Sequence, residues 1–261
     1  MTEPSRSFEA SPKHMPAVIL AAGQGQRLRQ NGSGSLKPLT PLLGLTLLER
    51  AVLSCRDAGI DEWYVVVGYG KEQMLTYIEA LTQRYRLRIR GIENPHWQEG
   101  NGTSALAVMP YIHEQFVLLM CDHIFDPSII RCLMQAATEP DTCLLAVDSR
   151  TDHLFELEDA TKVQRSNTEL IAIGKELSTF DGVDIGLFLC WPSVFKALQE
   201  AREIQDGSLT GGVRRLIAKR QIRTIDIGDR LWCDVDTPQS LAHAEHLLLR
   251  QRNVHAHSTM E

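Results

Sequence analysis

Apolar residues follow two different spacings along the chain, and together these spacings predict an α/β fold. Short runs of consecutive apolar residues are typical of strands that are buried on both faces of a sheet. Between these runs, residues 46–58, 71–81 and 103–109 carry apolar side chains at helical spacing. Strands separated by helices predict parallel βαβ units with right-handed crossovers. In the first half of the chain the predicted strands are residues 17–22, 63–67, 87–92 and 116–120.

The pattern changes after residue 142 and predicts a sheet that is mixed, not purely parallel. Ser166 and Asn167 separate two short apolar runs, which is typical of a hairpin turn. No internal repeat or proline-rich linker interrupts the chain. We therefore predict one domain over residues 15–250, with a flexible tail at 1–14 and a polar tail at 251–261. Further strands are predicted at 143–147, 183–190 and 222–227, and further helices at 191–201, 209–218 and from Pro238 to about residue 250.

The composition narrows the class of protein. Apolar residues make up 43% of the 261 residues and charged residues 23%, which supplies enough apolar surface for an ordered core. No run approaches the ~18 consecutive apolar residues of a membrane-spanning helix, so we expect no membrane insertion. The 27 basic and 33 acidic residues give a net charge of −6, which argues against a nucleic-acid partner.

The cysteines and histidines form no recognisable metal-binding motif. The six cysteines are scattered without a C-x-x-C pair, and four of them lie in apolar runs. This pattern is typical of buried free thiols in a reducing compartment, and it predicts a cytoplasmic protein. The nine histidines include no H-E-x-x-H motif.

The strongest chemical signal is a glycine-rich loop directly after the first predicted strand. Residues 20–28 read L-A-A-G-Q-G-Q-R-L, and K-P-L follows at residues 37–39. Glycines let backbone N–H groups turn toward a phosphate, while Arg27 adds a forked donor and Lys37 a point charge. The loop is neither a Walker A motif nor a G-x-G-x-x-G dinucleotide fingerprint. A simple tight turn is the alternative, and the two nearby cations argue against it.

Three aspartates provide the second signal. Asp122 follows the buried run that ends at Cys121, and open α/β sheets bind ligands at the carboxyl ends of their strands. Asp234 and Asp236 are two residues apart, so on an extended segment they point to the same side. Facing carboxylates favour a bound cation, and carboxylates beside a triphosphate are typical Mg²⁺ ligands. The structural alternatives are a turn or helix cap at Asp122 and a cap at Asp236 for the helix that begins at Pro238.

The run L-A-A-G-x-G-x-R-L followed by K-P-L resembles the signature of the nucleoside triphosphate transferase family, which contains the sugar-nucleotide pyrophosphorylases and cytidylyltransferases. Gln26 departs from that signature, because the family usually has Thr or Ser there. The resemblance implies a Rossmann-like, three-layer α/β/α fold of the nucleotide-diphospho-sugar transferase type, with a mixed, mostly parallel sheet. Within the family, the segments around Gly100–Gly102, Asp122-His123, 173–186 and 232–237 resemble the CTP:inositol-1-phosphate cytidylyltransferases.

The resemblance also implies which residues bind the substrates. It implies catalytic roles for Arg27, Lys37 and Lys175, and it assigns Lys175 to the phosphate of an acceptor. The segment that begins at Gly100 lies where the family recognises the nucleotide base. The implied nucleotide contacts are Leu20, Ala21, Ala22, Gly23, Gly25, Gly100, Asn101, Thr103, Ser104 and Asp122.

Mg²⁺ is the cofactor that the resemblance implies. Its expected ligands are Asp122 together with Asp234 or Asp236, and the sequence does not decide between these last two. His123 either faces the acceptor or packs below it.

On this basis we predict a nucleotidyltransferase that transfers CMP from CTP to a small phosphorylated alcohol such as inositol 1-phosphate, with release of pyrophosphate. Several alternatives keep the chemistry and change the acceptor to a sugar 1-phosphate, phosphocholine, a phosphonate or a molybdopterin. Another alternative is a catalytically silent nucleotide-binding module on the same fold. The presence of Arg27, Lys37 and Asp122 argues against a silent module.

Overall fold

The chain is described by a computed structural model that covers residues 15–29, 36–136 and 139–258. The predicted tail at residues 1–14 lies outside these ranges. Four of the strands in the described ranges are only two or three residues long. The strands are β1 (Ala17–Ala21), β2 (Pro41–Leu42), β3 (Leu45–Thr46), β4 (Glu62–Val67), β5 (Arg88–Glu93), β6 (Phe116–Met120), β7 (His123–Phe125), β8 (Cys143–Asp148), β9 (Lys162–Ser166), β10 (Glu169–Gly174), β11 (Gly182–Cys190), β12 (Ile222–Asp226) and β13 (Trp232–Asp234).

Three of the helices in the described ranges begin at residues whose side chains accept from free N–H groups of the first turn. The Thr46 side chain accepts from the Glu49 amide, and Glu49 returns the bond in a capping box. Asp126 caps the helix that begins at Pro127, and Ser208 caps the helix that begins at Leu209. The helices are α1 (Gln26–Arg29), α2 (Leu47–Asp57), α3 (Lys71–Tyr85), α4 (Asn101–Leu106), α5 (Pro127–Gln135), α6 (Ser193–Glu203), α7 (Leu209–Ala218) and α8 (Pro238–Ser258), with 3-10 turns at Lys37–Leu39, Trp97–Glu99 and Thr151–His153.

Nine strands form one mixed sheet in the order β5–β4–β1–β6–β11–β8–β12–β10–β9. Strands β5, β4, β1 and β6 are parallel, as βαβ units require, whereas β11 runs antiparallel to both β6 and β8. Strands β9 and β10 form the predicted hairpin. The change from a parallel to a mixed arrangement therefore falls in the second half of the chain, as the sequence pattern predicts.

Both faces of the sheet are covered, which gives the predicted three-layer α/β/α architecture. Helices α2, α3 and α5 pack on one face, and helices α4, α6 and α7 pack on the other. Strand β1 is an interior strand, between β4 and β6, and turns Ile19 to the first face and Val18 to the second, each without exposed surface. Burial on both sides explains why this strand reads as an uninterrupted apolar run.

The C-terminal helix is longer than its pattern predicts. Helix α8 continues to Ser258, past the predicted end near residue 250, so residues 251–258 are helical. No glycine or proline follows Pro238 in this stretch, so the backbone has no local reason to end the helix earlier. Across the described ranges, no helix has the length and apolar character that crossing a bilayer requires.

Candidate active site

The glycine-rich loop connects the end of β1 to α1 and brings Lys37 against it. Gly25 has a left-handed backbone with φ of +60°, and a side chain there would collide with the aliphatic part of Lys37. Lys37 opens a 3-10 turn with Pro38, and only 7% of it is exposed. A glycine at residue 25 therefore lets the loop close over a buried lysine.

Lys37 lies between two carboxylates from distant parts of the chain. Its ammonium pairs with Asp122, which follows β6, and with Asp236, which follows β13. Burial alone would lower the pKa of Lys37, but the charges of Asp122, Asp236 and Asp234 outweigh burial and raise it. Burial likewise opposes ionisation of Asp122, and Lys37 reverses the effect and lowers the pKa of that carboxyl. Lys37 therefore stays charged at neutral pH.

Arg27 extends the same charged group toward the surface. Its guanidinium pairs with Asp236 and with Asp159, and its side chain remains 47% exposed. Asp159 is 132 residues away in sequence. Exposed ion pairs contribute little free energy, so an anionic ligand could replace Asp159 as a partner of the Arg27 guanidinium with little loss of stability.

Asp234 is less well satisfied than its neighbours. Its Oδ1 atom is buried and accepts no hydrogen bond within the described ranges. Burial, together with the charges of Asp122 and Asp236, raises the pKa of Asp234 to about 7, although His123 and Lys37 oppose the shift. A buried carboxylate oxygen without a donor is a suitable ligand for a cation.

His123 lies directly beside these carboxylates. Its Nδ1 donates to the carbonyl of Ile185 at 2.7 Å, and its Nε2 lies 3.8 Å from Asp122 and 3.7 Å from Asp234. Burial would lower the pKa of His123, but Asp234 and Asp122 raise it above its ordinary value. Ligand atoms of Asp122, His123 and Asp234 all lie within 4.8 Å of one another, which is close enough to hold one metal ion.

Two adjoining cavities meet at this charged group. The first, of about 630 Å³, contains the glycine-rich loop, the start of α4 and the end of β6. Most of the residues predicted to bind the nucleotide line it. They are Leu20, Ala21, Ala22, Gly23, Gly25, Gly100, Asn101, Ser104 and Asp122, together with Arg27, Lys37 and Asp236.

Thr103 is placed differently from the other predicted nucleotide contacts. It does not line either cavity, and only 4% of it is exposed. Its hydroxyl donates to the carbonyl of Gly100 at 2.7 Å and accepts from Asn94 at 3.2 Å. Thr103 therefore supports the loop that presents Gly100, instead of facing a ligand in that cavity.

The second cavity, of about 700 Å³, begins where the first ends. Lys175, His123 and Asp234 line it, and Arg27 and Asp236 belong to both cavities. The structure thus puts Lys175 in one cavity and Lys37 in the other, with Asp236 between them. Two ligands bound side by side would meet at Asp236 and Arg27.

Several residues of the second cavity have no role in the sequence interpretation. Asp159 carries no local motif, and only the tertiary structure brings it to Arg27. Asp184 lies in the segment 173–186 that carries part of the family resemblance, and it is a charged residue inside the otherwise apolar run 183–190, but the sequence interpretation gives it no role of its own. Asp148 is 1% exposed and accepts from Arg150 at 2.8 Å and from Trp232 at 2.7 Å, so it holds the wall of the cavity together.

The fold and the site together define an α/β protein with a glycine-rich loop after its first strand and an acidic centre between two cavities. Residues 17–224 match the MobA-like NTP transferase domain, and the chain belongs to this family. The family resemblance and the fold class predicted from the sequence are both confirmed.

Relatives and solved structures agree with this assignment. The chain is 37% identical over 235 residues to the "Bifunctional IPC transferase and DIPP synthase" of Rubrobacter xylanophilus, a match that covers 89% of this chain and 52% of that protein. The chain therefore spans about half the length of this relative. The inositol-1-phosphate CTP transferase from T. maritima superposes with a TM-score of 0.79 at 24% identity, over 87% of this chain and 91% of that one. A UDP-glucose pyrophosphorylase complexed with UDP-glucose gives 0.74 at 16% identity, over 91% and 99%.

Proposed function

We propose that the chain is a Mg²⁺-dependent nucleotidyltransferase that transfers CMP from CTP to a small phosphorylated alcohol, with inositol 1-phosphate as the favoured acceptor. The observation that carries the proposal is the position of Lys37, Asp122 and Asp236 at the junction of two cavities. A transferase must bring two phosphates together, and this junction is lined by cations for the phosphates and by carboxylates for a metal.

The first cavity is assigned to the nucleotide. The backbone of Gly23 and Gly25 turns toward the phosphates, and Arg27 leaves Asp159 to bind the triphosphate. Lys37 neutralises the charge that develops at the bond between the α- and β-phosphates. Gly100, Asn101 and Ser104 line the same cavity and are assigned to the base.

The reaction needs no nucleophile from the protein. An oxygen of the acceptor phosphate attacks the α-phosphorus of CTP and forms a new P–O bond. The bond between the α-phosphorus and the β-phosphate oxygen breaks, and pyrophosphate leaves with the electron pair. The acceptor phosphate is already an anion at neutral pH, so no general base has to remove a proton. Positioning and charge neutralisation therefore supply the catalysis.

The residues present fit a divalent cation. Lys37 shows that a positive charge is held between Asp122 and Asp236, and the Oδ1 atom of Asp234 is buried without a donor. Asp122 is thus the ligand common to both candidate pairs, Asp122 with Asp234 and Asp122 with Asp236. When bound, Mg²⁺ would supply charge neutralisation on the phosphate oxygens. Asp122→Asn is expected to abolish any increase in melting temperature that Mg²⁺ with CTP gives to the wild type.

The second cavity is assigned to the acceptor. Lys175 is exposed to it and carries a charge that suits a phosphate monoester. The choice of CTP and of inositol 1-phosphate is supported by the similar proteins, which include an IPC transferase and an inositol-1-phosphate CTP transferase.

The test is pyrophosphate release with Mg²⁺, measured for CTP, UTP, GTP and ATP against separate acceptors. The acceptors are inositol 1-phosphate, sugar 1-phosphates and phosphocholine. We expect release with CTP and inositol 1-phosphate together and none when either is omitted. Release with a different pair would keep the reaction and correct its substrates. No release with any pair, despite measurable CTP binding, would contradict the proposal and favour a silent nucleotide-binding module.

A further inference from the structure

The two oxygen atoms of the Asp122 carboxylate have different neighbours. Its Oδ2 pairs with the ammonium of Lys37, which lines the first cavity. Its Oδ1 lies 3.8 Å from Nε2 of His123, which lines the second cavity. Lys37 therefore binds one oxygen of Asp122, and the other oxygen lies beside the histidine.

A second carboxylate oxygen lies beside the same ring nitrogen. Strands β7 and β13 pair His123 directly with Asp234, so the two side chains project from the same face of this two-stranded sheet. The Oδ1 of Asp234 is 3.7 Å from His123 Nε2, and it is buried and accepts no hydrogen bond within the described ranges. Three potential ligand atoms therefore lie close together, with the imidazole nitrogen beyond hydrogen-bond distance of either carboxylate.

The hydrogen bond at the other ring nitrogen fixes the tautomer of His123. A backbone carbonyl only accepts, so Nδ1 carries the proton in its 2.7 Å hydrogen bond to Ile185. In the neutral ring, Nε2 then presents its lone pair to the two carboxylates. Histidines that bind metals almost always donate their second ring N–H in this way, which orients the ring. The ring is also closely packed, because a side chain at Gly186 would collide with it.

The spacing of the three atoms suits a single ion. They all lie within 4.8 Å of one another. Metal bonds of about 2.1 Å place neighbouring ligand atoms roughly 3.0–3.5 Å apart at octahedral to tetrahedral angles. The separations of 3.7 and 3.8 Å from His123 Nε2 therefore have to shorten by only a few tenths of an ångström.

A histidine that only balances the charge of the two carboxylates would be placed differently. Its Nε2–H would donate to one of them, at about 2.7–2.9 Å for a charge-assisted hydrogen bond. Both observed separations from His123 Nε2 are much longer than this. The geometry therefore favours an ion between the groups over a direct pair.

We propose that His123 supplies a nitrogen ligand to the metal centre, together with Asp122 and Asp234, and that this centre binds a divalent transition-metal ion more tightly than Mg²⁺. The inference rests on the proposed function, because that proposal puts a divalent cation at the junction of the cavities. Imidazole nitrogen is a good ligand for transition metals, whereas Mg²⁺ prefers oxygen ligands. The position of the nitrogen also selects Asp234 over Asp236 as the second carboxylate ligand.

The test measures binding of Mn²⁺ and of Mg²⁺ to the full chain by calorimetry, without CTP or acceptor. His123→Gln removes the imidazole and keeps a polar side chain. The matched control is His96→Gln, because His96 is an exposed histidine that pairs with Glu99 at 2.9 Å and lines neither cavity. For His123→Gln we expect Kd for Mn²⁺ to rise at least about tenfold and Kd for Mg²⁺ to change less than about threefold. The control should change neither value.

Electron spin echo envelope modulation of bound Mn²⁺ gives a readout that a merely structural role of His123 would not produce. Coupling to an imidazole nitrogen should be present in wild type and in His96→Gln and absent from His123→Gln. A wild-type spectrum without nitrogen coupling would overturn the inference, as would unchanged coupling in His123→Gln. Equal affinity of wild type for Mn²⁺ and Mg²⁺ would also overturn it.

The outcome for the proposed function remains separate, because binding is measured without substrates. Pyrophosphate release by an enzyme whose Mn²⁺ shows no nitrogen coupling would leave the proposed function standing and overturn this inference. Nitrogen coupling in a protein that releases no pyrophosphate with any substrate pair would support this inference and contradict the proposed function. If His123→Gln does not fold, as judged by circular dichroism, the comparison is made with His123→Asn, for which retained nitrogen coupling overturns the inference.

Discussion

Glu49 and Asp234 are both carboxylates with buried oxygen atoms, but they differ in the hydrogen-bond donors and charges around them. Glu49 accepts from the hydroxyl of Tyr85 at 2.6 Å, from that of Tyr77 at 3.0 Å and from Arg84 at 3.0 Å. Burial alone would raise the pKa of Glu49, but these hydrogen bonds outweigh it and lower the pKa below its ordinary value. At Asp234 burial and like charges raise the pKa to about 7.

The difference follows from what each group has to bind. Glu49 joins the start of α2 to α3, so the protein itself provides its donors. Asp234 lies among other carboxylates at the junction of the cavities, and its Oδ1 has no donor within the described ranges. A folded protein tolerates an unsatisfied carboxylate chiefly where a ligand completes it. The comparison therefore favours a structural role for the α2–α3 region and supports the proposed binding role of the junction.

The largest expected effect is the loss of Lys37. Lys37→Ala removes the cation that neutralises the triphosphate, and turnover should fall about 10²- to 10³-fold, as for other preorganised contacts in active sites. Lys71→Ala is the matched control, because Lys71 is an exposed lysine that pairs with Glu93 at 2.6 Å. Steady-state pyrophosphate release and circular dichroism should show a folded but slow enzyme. Near-normal turnover in Lys37→Ala would contradict the assignment of Lys37.

Removing the satisfied carboxylate should cost stability and leave the chemistry intact. Glu49→Gln weakens a network of charge-assisted hydrogen bonds, which should lower the free energy of unfolding by about 2 kcal/mol. For a chain of this length the melting temperature should fall by roughly 4–8 °C. Thermal unfolding and pyrophosphate release on the same preparation check both parts. A stable variant with impaired turnover would reverse the roles that the comparison assigns.

Glu49 and Asp234 should make the free energy of unfolding depend on pH in opposite directions. Because the pKa of Glu49 is lowered by folding, its contribution is present above the unfolded value of about 4.3 and is lost as the pH falls through the folded value. Because the pKa of Asp234 is raised to about 7, its contribution is present below the unfolded value and is lost as the pH rises through about 7.

Urea unfolding between about pH 2.5 and pH 8 in the presence of a chelator measures both slopes, because the Glu49 contribution is lost only below its unfolded pKa. Asp234→Asn should remove the loss of stability toward pH 8, and Glu49→Gln should remove a loss on the acid side. The same slope in wild type and Asp234→Asn would show that Asp234 is satisfied in a way that the structure does not reveal.

The smallest expected effect concerns the pair between Arg27 and Asp159. Both side chains are about half exposed, so the pair contributes at most about 1 kcal/mol. Asp159→Asn frees Arg27 for the triphosphate, and KM for CTP should fall by at most about fivefold at low salt, with turnover unchanged. The effect should shrink at high salt, because exposed charges are screened. A higher KM for CTP would mean that Asp159 positions Arg27 for the nucleotide.

Much of the fold could be predicted because strands that are buried on both faces appear in the sequence as uninterrupted apolar runs. Strand β1, its glycine-rich loop and Lys37 follow one another closely in the chain, so local pattern and motif indicate them together. Asp122 is found for the same reason, since it ends a buried run. The order of the nine strands has no such local trace, because it depends on which faces pack together.

The parts of the site that sequence reasoning missed depend on tertiary contacts. Asp159 reaches Arg27 across 132 residues, and no spacing rule connects the two. Asp184 interrupts an apolar run, but only the irregular register of β11 shows which cavity it lines. Thr103 lies in the segment that the family resemblance assigns to the nucleotide base, but its hydroxyl accepts from Asn94 and donates to the carbonyl of Gly100.

The most direct test of the central claim follows both phosphates of the reaction by ³¹P NMR, with CTP, inositol 1-phosphate and Mg²⁺ as the starting mixture. The account predicts that CTP and the phosphate monoester disappear in equal amounts. Pyrophosphate and a new diphosphate diester should appear in the same amounts. Conversion of CTP to CMP and pyrophosphate with the monoester unchanged would contradict the account, because it would show that the junction of the cavities transfers CMP to water and not to the acceptor.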